Sequence, residues 1–443
     1  MNEIIVTTTV ERPFHSGTGV YLNVRGRDPE KLSFSIEDYA RISRTFPIDA
    51  GEFAYFCAVI YGCDKLVARD VGNGDRWTRE IAVDIPVALP KKWNASRPTI
   101  EKMLEFLTGD IWHLSFRQRE GPLFGPNFTR TRRNFHKKRT IAGDAVSLFS
   151  GGLDSITGII DWLEENPTKS LVLASTYDAH AENANADQER LLPKLNAAYP
   201  NRIKRFVARS GLQNKGEDIN FRSRSLTFLG NGVLAASFLG KTVRLLIPEN
   251  GAIALNYPLS PARSGSLSTR TVHPHFIDLF NRVLLELDLP CQVDNPYEFK
   301  TKGEVLASCK NQRFLKSIYQ DSVSCGKRGF GRIHWHDKSA FGCGHCVPCI
   351  FRQAGVNFAA LCQENFGCTI SDRRKWGNSD ILKANGDLQT VIDFVKSDLN
   401  EKAIWQRMRS NGYLELDKKD RYVDLIVRLR TELSKWLSSI KLL

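Results

Sequence analysis

The chain has 443 residues, more than one hydrophobic core usually serves, so two or three domains are expected. Hydrophobic residues make up 42% and charged residues 25% of it, a globular balance that excludes disorder over the whole length. The formal net charge of +13 favours an anionic partner, whether nucleic acid, nucleotide or acidic protein, without choosing among them.

The first twelve residues show no basic segment leading into an apolar one, so no secretory signal is read. The longest weakly polar run, Leu226 to Gly240, contains Asn231 and three glycines and is too short to cross a bilayer. The expectation is a cytoplasmic chain without a membrane partner, its ten cysteines reduced.

Residues 1–128 mix turns with short alternating runs, among them Ile4 to Val10, Phe53 to Val59 and Ile81 to Val87. They predict a β-rich or α+β accessory domain. Cys57 and Cys63 lie there with no further Cys or His beside them and read as core residues. Residues 129–143 predict a basic linker. Its stretch Thr129 to Thr140 holds six Lys and Arg and no acid; such a run is either a solvated connection or a strap that grips an anion.

Between residues 144 and 370 the pattern changes to strands alternating with helices. Strands are predicted at Ala145 to Phe149, Leu171 to Ser175, Arg205 to Ala208 and Val243 to Pro248. Helices are predicted at Ile156 to Glu165, Asp187 to Ala198 and Ser225 to Leu239. This alternation predicts an α/β unit with a parallel sheet covered on both faces. Ligands of such sheets bind at the carboxyl ends of the strands. Residues 371–443 are charged and amphipathic, as in Val391 to Leu399 and Val423 to Leu437, and predict a helical C-terminal region.

The most informative motif is Ser150-Gly151-Gly152-Leu153-Asp154-Ser155, set between a predicted strand and a predicted helix. The glycines allow a tight turn that exposes N–H groups, and the helix start aims its positive end at the same place. Ser150 and Ser155 add hydroxyls. The result is a cradle suited to pyrophosphate, in which Asp154 would hold Mg²⁺ or orient the loop. It is not a Walker loop: the nearest approach, Ala235 to Thr242, has Ala235 where that motif needs glycine.

A second motif is Cys343-Gly-His-Cys346-Val-Pro-Cys349. Two CxxC turns bring three thiolates onto one tetrahedral ion. Cys325 is the candidate for the fourth ligand, with His334, His336 and His345 as rivals.

Together these segments resemble the PP-loop ATP pyrophosphatases, and the cysteine cluster narrows the resemblance to the 7-cyano-7-deazaguanine synthases (QueC). It covers about Ala145 to Cys362. The resemblance implies a Rossmann-like PP-loop domain of the HUP type, and a structural zinc on Cys325, Cys343, Cys346 and Cys349. In this chain 17 residues separate Cys325 from Cys343, where the family gap is short. The resemblance also implies ATP and pyrophosphate contacts from Ser150, Gly151, Gly152, Leu153, Asp154, Ser155, Thr176, Arg224 and Lys302. Of these, Asp154, Arg224 and Lys302 would be catalytic. Arg224 matches an Ala-Arg-Asn element, and Thr301-Lys302-Gly-Glu304 a Thr-Lys-x-Glu element that is also an ordinary helix-capping pattern. Ser175 to Asp178 matches a turn near adenine, without the family's Gly-Gln pair.

Pro248-Glu249-Asn250-Gly251 and the following Ser- and Arg-rich loop resemble a longer QueC-like branch found in anti-phage defence operons, QatC among them. Glu249, Asn250, Arg263, Arg270 and His273 are the expected substrate-binding residues; capping or loop roles are the alternative for Glu249. The expected chemistry is adenylation of a deazapurine-like carboxylic acid by ATP with Mg²⁺, followed by transfer of the acyl group to an amine. That amine would belong to ammonia or to a partner protein of the same operon. Two other classes fit the charge and the loop: an enzyme modifying a nucleic-acid base, and a nucleotide-sensing subunit without turnover.

Overall fold

The structure, a computed structural model, describes residues 2–10, 18–36, 39, 47–69, 78–121, 123, 142–178, 184–214, 216–218, 222–260, 270–326, 335–368 and 380–443. The basic run 129–140, Arg263 and His334 lie outside the described residues.

Each of the four apolar runs expected as strands overlaps one. They are β6 (Ala145–Leu148), β7 (Leu171–Tyr177), β8 (Ile203–Leu212) and β9 (Val243–Leu246). β6 is buried at every position, because helices cover both faces and neither face needs polar residues. A further strand, β10 (Cys291–Asp294), escaped the sequence reading: four residues with one exposed glutamine carry little signal. β10, β9, β6, β7 and β8 lie side by side in that order, all parallel. β6 therefore has β7 on one side and β9 on the other, and the chain changes direction of winding between β6 and β9. That is where open α/β sheets place ligands.

The sheet continues past β8. β1 (Asn2–Val10), β2 (Thr18–Val24) and β3 (Glu30–Ser35) form antiparallel pairs, and β3 pairs antiparallel with β8, Leu32 opposite Leu212. β4 (Glu80–Val87) and β5 (Ile111–Gln118) extend β1 in parallel. One ten-stranded, mostly parallel sheet thus runs through the expected accessory unit and the expected core unit. Residues of both share one hydrophobic core, from Ile4 and Phe53 to Leu245 and Val293.

The run Phe53 to Val59 is not a strand. It lies inside α1 (Ile48–Leu66), whose residues from Ala50 to Leu66 are all buried. A helix buried all round shows no amphipathic period, so its sequence cannot be told from a strand by alternation. Gly62 of α1 sits where a Cβ would meet Leu22 and Leu32 at 2.9 Å, which lets the helix lie directly on β2 and β3. α2 (Pro90–Thr108) covers the outer strands and supplies side chains to the free edge of β5. Glu101 accepts from Leu114 N at 2.7 Å, and Asn94 donates to Phe116 O at 3.0 Å, which blunts that edge against pairing.

Among the described residues the further α-helices are α3 (Leu153–Glu165), α4 (Ala184–Ala198), α5 (Arg224–Ser237), the single turn α6 (Gly251–Ala254), α7 (Pro274–Glu286), α8 (Lys302–Ala307), α9 (Gln312–Ile318) and α10 (Val347–Phe358). α11 (Asp380–Lys396), α12 (Glu401–Arg409) and α13 (Lys419–Ser439) follow. These last three bury Trp405, Tyr422, Leu433 and Trp436 in a second core shared with α10 and α6. No described helix is long and apolar enough to cross a membrane.

Candidate functional site

The strand–turn–helix expected around Ser150 is present. β6 ends at Leu148, Gly151 takes φ +80°, and Gly152 caps α3 with φ −79° and ψ 162°. A side chain at Gly151 would be strained by that φ and would contact Asp187 and Gln188 of α4 at 3.5 and 3.6 Å. Ser150 Oγ accepts from Gly152 N at 3.2 Å, and Ser155 Oγ donates to Leu148 O at 3.2 Å. The two serine hydroxyls therefore brace the turn. The amides at the start of α3 have no intrahelical carbonyl; Leu153 N reaches Ser324 Oγ at 3.4 Å.

Asp154 is buried and collects three polymer segments. Its Oδ1 accepts from Lys302 Nζ at 2.7 Å. Its Oδ2 accepts from Asn250 N at 3.1 Å and Asn250 Nδ2 at 2.8 Å. The Glu249 carboxyl lies beside it, its Oε1 accepting from the same Asn250 Nδ2 at 3.0 Å. Burial by itself would raise the pKa of Asp154, but the Lys302 ammonium and these hydrogen bonds outweigh it and hold the group well below the usual carboxylate range. Glu249 goes the other way: burial and the adjacent Asp154 charge push its carboxyl well up. The surroundings thus pull the two carboxyl pKa values in opposite directions, a separation typical of working sites.

Local sequence explains the convergence. Asn250 follows β9, across the winding change from β6, and Gly251 behind it passes so close to residues 298–300 that a Cβ would stand 2.1 Å from Glu298 O. Gly158 of α3 lies against Pro248, where a Cβ would come within 2.4 Å. Lys302 opens α8 in a full capping box: Thr301 Oγ1 accepts from Glu304 N at 3.2 Å, and Glu304 Oε2 from Thr301 N at 2.9 Å. The capping reading of Thr-Lys-x-Glu therefore holds. Lys302 meets Asp154 here, rather than standing apart as an open cation.

On the opposite flank, Thr176 is 1% exposed and its hydroxyl donates to Thr227 O at 3.3 Å. Tyr61 of α1 donates to Asp178 Oδ2 at 2.6 Å. Arg224 opens α5, half-buried, with its guanidinium 5.9 Å from the Phe228 ring and in electrostatic reach of Tyr61. It belongs to the β7 side of the turn, Lys302 to the β9 side. Gln188, unnoticed in the sequence, is fully buried beside Gly151; its Oε1 accepts from Arg205 at 2.6 Å while its Nε2 has no partner.

Arg270 and His273, grouped with Glu249 in the sequence reading, are engaged elsewhere. Arg270 donates to Phe106 O at 3.0 Å and to Asn411 Oδ1 at 3.3 Å. His273 caps α7, accepts from His275 N at 3.2 Å and packs on Phe106 with no exposed surface. Both tie α2 and the C-terminal region together. Their polarity and loop position suggested ligand contact, and nothing local in the sequence reveals the α2 partner.

The four sulfurs of Cys325, Cys343, Cys346 and Cys349 lie within 4.8 Å of one another and could hold a metal ion. The Cys325–Cys346 and Cys343–Cys349 separations are 4.0 and 3.9 Å, close to the roughly 3.8 Å edge of a tetrahedron with Zn–S bonds of about 2.3 Å. Backbone amides support them: Cys343 N donates to Cys325 Sγ and Cys346 N to Cys343 Sγ, both at 3.3 Å. Cys325 thus joins the cluster despite the long gap in sequence, and the segment leading to it closes the glycine turn, Val323 N donating to Gly151 O at 3.0 Å. A cavity of about 260 Å³, lined by Ser322, Ser324, Cys325, Phe341, Arg352 and Phe366 among others, lies between that segment and the cysteine lobe.

In comparison with known proteins, no family model matches the chain and no curated protein matches it.

Proposed function

We propose that the chain is an ATP-dependent, AMP-forming ligase of the PP-loop class, QueC-like in its chemistry. The observation that carries this reading is the glycine turn Ser150–Ser155 at the change of winding, with Asp154 bound to Lys302 and Asn250. In the proposed reaction a carboxylate oxygen attacks the α-phosphorus of ATP. The bond from that phosphorus to the bridging oxygen breaks, and pyrophosphate leaves with the electron pair. The turn amides would hold the departing anion, while Lys302 and Arg224 would offset charge from opposite sides. An amine then attacks the acyl carbon, the bond to AMP breaks, and the amine proton passes to solvent.

Asp154 offers the hard oxygen that Mg²⁺ takes, and Mg²⁺ would supply further neutralisation of the triphosphate. The four thiolates fit zinc in a closed structural role. The acid is proposed to be deazapurine-like and the acceptor an amine of a partner protein in an anti-phage defence system. The Pro-Glu-Asn-Gly segment and the extra N-terminal strands support that extension. The test is to incubate the full chain with MgATP and 7-carboxy-7-deazaguanine. AMP and pyrophosphate are the expected products; ADP and phosphate as the main products would sink the reading.

A further inference from the structure

Lys302 is held by more than its own helix. It is the first residue of α8, where helical N–H groups lack internal partners. Thr301 and Glu304 satisfy each other, which leaves Gly303 N. That amide donates to both carboxylate oxygens of Glu432 on α13, each at 3.2 Å. Thr301 Oγ1 donates to Glu432 Oε2 at 2.5 Å. One carboxylate from the C-terminal helix thus grips the residues on either side of Lys302. One turn earlier on α13, Arg428 pairs with Glu304 and donates to Phe299 O at 3.1 Å, so two α13 side chains at i,i+4 spacing seize the same helix start.

The backbone there is confined as well. A Cβ at Gly303 would meet Glu432 Oε2 and the Phe358 ring at 2.6 Å, and a Cβ at Gly355 of α10 would meet Lys302 Cγ at 2.9 Å. Glu432 is 2% exposed. Burying a carboxyl costs free energy that an apolar residue at the same place would not incur, so packing alone does not account for it. Burial drives its pKa up to about 7, against the Thr301 and Gly303 donors.

We propose that Glu432 is a positioning residue that aims Lys302 at Asp154, which makes the C-terminal helices part of the working site. This rests on the reading of Asp154 and Lys302 as the reaction centre. Lys302 Nζ reaches Asp154 only at the end of a four-carbon stem, and a shift of about 1 Å in the base of that stem is enough to spoil such an alignment.

The test is trace acetylation of lysines in the full-length protein, read by peptide mass spectrometry, with exposed Lys241 as internal standard. Wild-type Lys302 should be protected. Glu432→Ala should raise its labelling about fivefold or more, the effect of 1 kcal/mol of local loosening, while Glu432→Gln, which keeps an acceptor oxygen, stays within about twofold of wild type. A folded Glu432→Ala protein with Lys302 still fully protected overturns the proposal. Should that variant not fold, Thr301→Val takes its place; it should raise labelling at least about twofold, and unchanged protection again overturns the proposal. With MgATP and 7-carboxy-7-deazaguanine, Glu432→Ala should lower kcat about tenfold with KM for ATP little changed. Absence of turnover in the wild type counts against the ligase reading, and the labelling then decides on Glu432 alone.

Discussion

Lys302 Nζ lies 2.7 Å from Asp154 Oδ1, and the two residues stand 148 positions apart in sequence. Both side chains are 5% exposed, so each charge depends on the other for its burial. Removing one partner of such a pair typically costs about 3–5 kcal/mol, because the other is left uncompensated. Lys302→Met and Asp154→Asn should each lower the unfolding free energy in this range. The double variant should recover part of it, and a strictly additive double-mutant cycle in urea would show that the pair is not coupled.

The cysteine lobe should carry about one equivalent of zinc per chain in freshly made protein. Cys349→Ser should reduce that by more than half and lower Tm, since a closed site contributes folding free energy directly. Elemental analysis of wild type and variant, paired with melting curves taken with and without a chelator, checks both statements.

His273 gives the chain an acid-sensitive point. Burial, Arg270 and His275 depress its pKa from 6.5 to about 3. The unfolded chain therefore binds a proton that the folded one refuses between those values, and stability falls as pH drops through this window. The slope contributed is up to about 1.4 kcal/mol per pH unit. His273→Asn keeps a capping acceptor but cannot titrate. Its urea midpoint should depend less on pH between 3 and 6.5 than that of the wild type; identical pH profiles would assign the acid sensitivity to other groups.

Gly158→Ala places a methyl group 2.4 Å from Pro248. Helix α3 must then shift away from the segment that carries Glu249 and Asn250. Overpacking of this kind costs about 1–3 kcal/mol. Thermal melting should show the loss. A variant as stable as wild type would mean that the two segments are not in register through Gly158.

Much of the parallel half was legible from residue order. The apolar runs near Ala145, Leu171 and Val243 could only be buried strands, and Gly151-Gly152 between strand and helix could only be a tight turn. The cysteine spacing marks three members of the sulfur cluster, and the structure picks Cys325 as the fourth from the candidates the sequence left open. What escaped was whatever depends on a remote partner. Phe53 to Val59 is an unbroken apolar run inside a helix buried all round, which shows the period of neither element. Thr301-Lys302-x-Glu304 reads equally as a helix cap and as a site element; Thr301 and Glu304 do cap α8, and only Asp154, far off in sequence, shows where the Lys302 side chain goes. Glu432 reads as one more acidic residue on an amphipathic helix until Gly303 and Thr301 are seen beneath it. Arg270 and His273 sit in a polar stretch of the kind that usually meets ligands, yet Phe106 and Asn411 claim them.

The pairing of β3 with β8 bears on how the chain is made. Leu32 finds its neighbour in Leu212, so during synthesis the first three strands leave the ribosome long before the strand that completes their sheet. Until β8 arrives, β3 is an open border with unpaired amides and carbonyls. Contacts of such long sequence separation form slowly. The early part of this protein therefore completes its sheet only once β8, in the parallel half, has been translated.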